Sequence, residues 1–119
     1  MLLERNREKH NSLNGGHFDI PGGRIDPEEE LETALKREVL EETGIKLEGK
    51  SQLLTAQDIF TKDGEKHVVR LTYLVGVVNE VEIVIDPGEA TGFVWRKVEE
   101  CIGSEEVDPY TQEVLKRIK

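Results

Sequence analysis

The spacing of apolar residues changes period several times along this chain. "MLLER" reads as a short apolar strand, and the polar "NREKHNSLNGG" that follows reads as a loop. "HFDI" is a second extended piece, stopped by "PGG". From Asp26 to Thr43 the spacing becomes helical. Asp26 suits the N-cap, Pro27 the first helical position, and Glu29 completes the spacing of a capping box. Gly44 suits the left-handed position that ends the helix. "SQLLTAQDIF" and "HVVRLTYLVGVV" read as strands joined by the Asp-Gly turn of "KDGE". In the second of these, Val69, Leu71, Tyr73, Val75 and Val77 share one face. Leu74 and Val78 make the other face apolar too, which predicts a central strand. "VEIVI" and "FVWRKV" are further strands across the turn-rich "DPGEATG". "DPYTQEVLKRI" closes the chain as a helix, with Asp108 as cap and Pro109 at its first position. Strands mixed with two helices predict a layered α/β (α+β) domain, and 119 residues suffice for one domain, 1–119.

One part of this pattern is physically odd. With roughly 100° per residue, Ala34 and Leu35 fall within about 60° of Leu31 and define a core-facing stripe. Glu38 and Glu42 fall within about 20° of the same line, and Glu41 lies just beside it. The apolar face becomes acidic without turning outward. Like charges three and four apart repel by about 0.2–0.5 kcal/mol per exposed pair. Carboxylates in the last turn oppose the helix dipole by roughly 0.3–1 kcal/mol each. Partial burial adds a desolvation cost. A divalent cation relieves all three penalties, and carboxylate oxygens suit a hard ion such as Mg²⁺ or Mn²⁺. The plain alternative is a solvated, Glu-rich helix; the inward phase and the C-terminal position count against it.

Charge narrows the choice of partner. Acids outnumber bases 25 to 16, a net charge of −9. That surface repels a polyanion, so broad nucleic-acid binding is not expected, while a small phosphorylated ligand held through cations is. No apolar run is long enough to span a bilayer, and no secretory leader is visible. The single Cys101 has no internal partner for a disulfide, which fits a reduced, cytoplasmic setting.

Beside the acidic helix, Gly22 and Gly23 let the backbone turn and approach a ligand or metal closely. The same glycines also suit an ordinary Pro-Gly turn. Arg37 reads as an ion-pair partner for the acids, within reach of Glu29 only if the start of the helix bends toward it. His10, His17 and His67 lack metal-ligand spacing, and Trp95 reads as a core residue of its strand. Phe60 and Tyr73 read first as packing residues and second as platforms for a base.

Taken together, Gly23, Glu29, Arg37, Glu38, Val39, Glu41, Glu42, Gly44 and Ile45 resemble the signature box of the Nudix (MutT-like) hydrolases, with no spacing error. More loosely, "MLLER", "HFDIPGG" and "GEATGFVWRKVEE" look like the family's second strand, its approach to the box, and its late acidic loop and strand. The resemblance implies an α/β/α sandwich with a mixed sheet. It implies Mg²⁺-dependent hydrolysis (Mn²⁺ as substitute) of a diphosphate linkage in a nucleoside diphosphate joined to another moiety, such as a nucleoside triphosphate or nucleotide sugar. Carried over, Glu38, Glu41 and Glu42 would hold the metal with the Gly22 carbonyl, and Glu89 matches a downstream acid of some members. Glu38 is the candidate water-activating base; Arg37 and Glu29 would orient the cluster. Gly23 would lie against the substrate, and Arg5 is a candidate phosphate contact or, equally, a surface arginine.

The family's usual first strand and turn have no counterpart before "MLLER", so a truncated start is expected; otherwise an unpaired sheet edge would favour dimers. Monomer and homodimer both stay open. Substrate markers are also missing. Phe60 and Thr61 stand where ADP-ribose hydrolases carry a proline, and the tyrosine of dinucleoside polyphosphate hydrolases is absent. Asp108 replaces the Asn that guanine-sanitising members place before the last helix. A non-catalytic nucleotide sensor and a structural binder of divalent ions are the alternatives. The complete acidic set argues against the first, and the lack of an EF-hand loop against the second.

Overall fold

The computed structural model describes residues 1–5, 18–61, 63–77 and 82–118, and the side chain of Arg5 lies outside that description. Five strands and three helices follow one another as β1 (Leu2–Arg5), β2 (Phe18–Asp19), α1 (Leu31–Thr43), β3 (Ser51–Phe60), β4 (His67–Val75), β5 (Ala90–Val94), α2 (Val98–Cys101) and α3 (Pro109–Leu115). One sheet has the order β2-β1-β5 and the other pairs β3 with β4, all antiparallel. A parallel bridge joins Phe18 to Val107, ahead of α3. The loop expected at "NREKHNSLNGG", together with His10, His17 and Val78, lies outside the described residues.

The layers follow from strand alternation. Val75 packs beside Val39, Ile45 and Leu47, under α1 and the chain that leaves it. Arg70, of opposite parity, faces α3, where it donates to Thr111. The β3–β4 hairpin therefore sits between α1 and α3, giving an α/β/α arrangement. A second core joins Leu2, Cys101 and Val107, with Phe18, Val94 and Leu115 packed on it, under α2 and α3. Leu3, on the other face of β1, is fully buried. Asp108 caps α3 as its sequence predicts, accepting from the backbone N–H groups of Tyr110 and Thr111, with Pro109 next.

Several sequence expectations need correction. Helix α1 begins at Leu31, not at Asp26, and Glu30 is its N-cap. The residues before it form a turn, in which Glu29 N–H donates to the Asp26 carbonyl and Glu28 takes φ 64°. That left-handed residue breaks the helical path. Leu31 is 46% exposed, so the buried stripe centres on Ala34, Val39 and Glu42 rather than on Leu31. Strand β4 is not central among the described residues: it pairs with β3 alone, and Val68, Val69 and Leu74 are exposed. "VEIVI" forms no strand over its described residues: its Val84 N–H donates to the Thr43 carbonyl, and Asp86, just past the segment, donates to that of Glu42. "FVWRKV" is a strand only to Val94; Trp95 is 50% exposed rather than core, and Val98 opens the short α2.

Candidate active site

Arg37, nearly two turns before the end of α1, organises the acidic face. Its Nε donates to Glu29 Oε2 at 2.8 Å and its Nη2 to Glu29 Oε1 at 2.9 Å, a two-pronged pair. Its Nη1 reaches Glu38 Oε1 at 2.8 Å and Glu41 Oε2 at 3.3 Å, and Nη2 also meets the Arg24 carbonyl at 2.9 Å. Asp26 lies 3.4 Å away. The late start of α1 makes this possible. The turn over 26–29 carries Glu29 back alongside the helix, and Glu29 Oε1 also accepts from Asp26 N–H at 3.0 Å. Hydrogen bonds from Arg37, then from the Asp26 amide, hold the Glu29 carboxyl down at about 2. The same carboxylates, Glu29 first and then Glu38, push the guanidinium far above its usual range, so it stays charged.

Glu38 and Glu42 lie inward as their phase predicts. The Glu38 side chain is 18% exposed, Glu42 is 6% exposed, and Glu41 points outward at 57%. Glu42 Oε2 accepts from Gly22 N–H at 3.0 Å, which ties the glycine turn to the helix. Gly23 is pressed against Glu38: a Cβ there would lie 2.1 Å from Glu38 Oε2 and 2.2 Å from Cδ. Only a residue without a side chain lets the Glu38 carboxylate occupy this position. Among the described residues no three acidic, histidine or cysteine side chains already form a metal cage. Glu38 and Glu41 are turned to Arg37, and Glu42 is turned to the Gly22 amide. The donors themselves fit a hard divalent ion, being carboxylate oxygens on one half-buried helix face with no thiolate or imidazole among them.

Glu89 belongs to the turn that follows the helix-capping segment, its N–H donating to the Asp86 carbonyl at 3.0 Å. His67 sits away from this centre, bonded to Asp58 at 2.6 Å and stacked on Phe60. Phe60 thus already has an aromatic partner on its own hairpin. Cys101 is buried, and desolvation pushes its thiol upward, away from the reactive thiolate.

A second polar cluster escaped the sequence reading. Arg70 donates to Gln57 Oε1 at 3.1 Å and to Thr111 Oγ1 at 3.3 Å, and lies 3.7 Å from Asp19. Thr111 hydrogen-bonds Asp19, and Gln57 Nε2 reaches the Tyr110 carbonyl at 2.9 Å. Arg70 Nε and Thr72 Oγ1 are buried without a hydrogen-bond partner among the described residues. The signal was present in β4, where Arg70 and Thr72 interrupt an apolar run on one face; a charge at an inward strand position calls for a partner.

The NUDIX domain model matches residues 1–118 of the chain. The chain belongs to the Nudix family. Among solved structures, the MutT NUDIX hydrolase of Burkholderia pseudomallei superposes with a TM-score of 0.80 at 25% identity, over 99% of this chain and 86% of that one. The MutT protein of Methanosarcina mazei Go1 gives 0.81 at 28% identity, over 98% and 79%. The E. coli ORF135 protein, at 22% identity and a TM-score of 0.65 over 98% and 76%, shares the fold. No curated protein gives a significant match. The chain is thus a MutT-like Nudix pyrophosphohydrolase.

Within the Nudix box the fold gives the residues different duties. Arg37 and Glu29 build the clamp, Gly23 makes room for Glu38, and Gly44 (φ 75°) ends the helix while donating to the Leu40 carbonyl. Val39 and Ile45 belong to the core under α1. Nudix hydrolases generally use divalent ions such as Mg²⁺ and act on small nucleotide-type substrates. No helix among the described residues is long and apolar enough to cross a membrane.

Proposed function

We propose that this Nudix hydrolase cleaves, with Mg²⁺ or Mn²⁺, a diphosphate linkage in a nucleoside diphosphate carrying another group, in the cytoplasm and as a single domain spanning 1–119. The observation that carries the reading is the inward pair of acids, Glu38 set against Gly23 and oriented by Arg37, and Glu42 held by the Gly22 amide. Glu38, Glu41, Glu42 and Glu89 would hold the ion with the Gly22 carbonyl. A bound divalent ion would supply charge neutralisation at the phosphates and a lower pKa for an attacking water. Glu38 is the base: its carboxylate takes the proton from water as the oxygen bonds to phosphorus and the bridging P–O bond breaks. Arg37 holds Glu38 and Glu41 in position without touching substrate. Gly23 presents bare backbone toward the phosphates, and Arg5 is their additional cation.

The test is a panel of nucleoside di- and triphosphates, nucleotide sugars, ADP-ribose, NADH and dinucleoside polyphosphates, each assayed with Mg²⁺ and with chelator. Metal-dependent turnover of at least one is expected, together with a loss of about 100-fold or more in kcat for Glu42→Gln. No turnover of any member would leave a nucleotide-binding sensor. Full activity in Glu42→Gln would remove that residue from the metal site.

A further inference from the structure

The segment after β4 is fastened to the very end of α1. Val84 N–H donates to the Thr43 carbonyl at 2.8 Å and Asp86 N–H to the Glu42 carbonyl at 3.3 Å. These are carbonyls that a helix end leaves without partners. A Cβ on Gly44 would lie 3.1 Å from both Cβ and N of Val84, so the segment runs hard against the helix terminus. Asp86 then folds the chain back on itself. Its carbonyl accepts from both Glu89 N–H and Ala90 N–H at 3.0 Å, and its Oδ1 accepts from Gly88 N–H at 2.9 Å. Ala90 is buried and begins β5, paired to β1 at Arg5. The turn carrying Glu89 is therefore anchored at one side to Glu42, a buried acid of the site, and at the other to the β2-β1-β5 sheet.

We propose that Asp86 is a positioning residue of this Nudix site: through its side-chain turn and its bond to the Glu42 backbone, it holds Glu89 in fixed register with the acidic end of α1. Neither Pro87 nor Gly88 can replace what it does, since Pro87 has no N–H and Gly88 has no side chain. Without the Oδ1 acceptor the Gly88 amide turns to water and the loop samples other paths. Glu89 then reaches the ion in only a fraction of molecules, and apparent affinity falls by that fraction. The inference rests on the reading of Glu89 as a metal ligand given above.

The test uses the full chain and Mn²⁺ alone as probe, with free ion followed by its paramagnetic resonance signal, beside kcat and KM on whichever nucleotide turns over. Asp86→Ala is expected to weaken Mn²⁺ binding about three- to tenfold, the effect of one lost hydrogen bond, with KM for nucleotide nearly unchanged. Asp86→Asn keeps an oxygen acceptor and removes the same charge, so it is expected to retain wild-type Mn²⁺ affinity. Asp86→Ala added to Glu89→Gln is expected to cost nothing further, because the two act as one unit. Equal weakening in Asp86→Ala and Asp86→Asn, or additive losses in the double variant, would overturn the proposal. So would wild-type binding by Asp86→Ala while Glu89→Gln binds weakly; that result leaves the Glu89 assignment standing. If Glu89→Gln itself binds Mn²⁺ normally, the ligand reading fails first and takes the positioning role with it. Asp86→Asn keeps the comparison decisive if the alanine variant folds poorly, since weak binding by a folded Asp86→Asn refutes the proposal alone.

Discussion

At the scale of single residues, the site depends on one cation surrounded by acids. Glu29 fixes the guanidinium that in turn holds Glu38. Its folded carboxyl sits at about 2, below the ordinary 4.5. A depressed carboxyl contributes stability that is complete above the unfolded value and fades as pH falls toward the folded one. Urea denaturation between about pH 4.5 and 2 should therefore show a downward slope with acidification that Glu29→Gln flattens. A variant with the wild-type slope would mean the clamp is not formed in solution. Gly23→Ala gives a second residue-scale prediction. The added methyl would overlap the Glu38 carboxylate, while Gly23 itself is exposed and its φ is not left-handed. Folding stability should change little, and kcat should fall by about tenfold or more as Glu38 is pushed off Arg37. Unchanged kcat in a folded Gly23→Ala would show that Glu38 need not sit there.

At the scale of elements, α1 shows what a sequence can and cannot disclose. Its acidic face was legible, because periodicity fixes which side chains share a face whatever the helix packs on. Its start was not. Asp26, Pro27 and Glu29 satisfy the rules for a helix opening, yet the chain spends those same groups on a tight turn, since only a turn brings Glu29 beside Arg37. Long-range ion pairing outweighed a local preference. The strand expected at "VEIVI" failed for a related reason: its Val84 amide serves the Thr43 carbonyl at the end of α1, a demand no local pattern reports. The turn at the opening also leaves Glu28 with φ 64°, a conformation that strains a residue bearing Cβ. Glu28→Gly should stabilise the fold by about 0.5–1 kcal/mol, the relief of that strain less the entropy glycine adds to the unfolded chain. The urea midpoint would rise with turnover unchanged. A fall in midpoint would mean that Glu28 makes a contact worth more than the strain.

At the scale of the whole molecule, the two sheets and α3 meet through polar groups as well as apolar ones. Apolar spacing in β4 suggested burial on both faces, but the structure buries Thr72 and much of Arg70 while leaving Val69 and Leu74 exposed. Patterning treats all apolar positions as equal, whereas the contents of an inner face follow from what stands opposite. Here those neighbours are Asp19, Gln57 and Thr111, which reward an arginine. Thr72 Oγ1, like Arg70 Nε, is buried with no hydrogen-bond partner among the described residues. Replacing Thr72 with valine, nearly the same in shape, removes a desolvated polar atom and should stabilise the free protein by about 1 kcal/mol. If the hydroxyl were kept only by chance, catalysis would not notice the change. If it meets a polar edge of the substrate, the same variant should raise KM about three- to tenfold with kcat nearly unchanged, the signature of lost uniform binding. A more stable Thr72→Val with wild-type KM on every nucleotide in the panel would separate this cluster from substrate recognition and leave it as a joint between α3 and the two sheets.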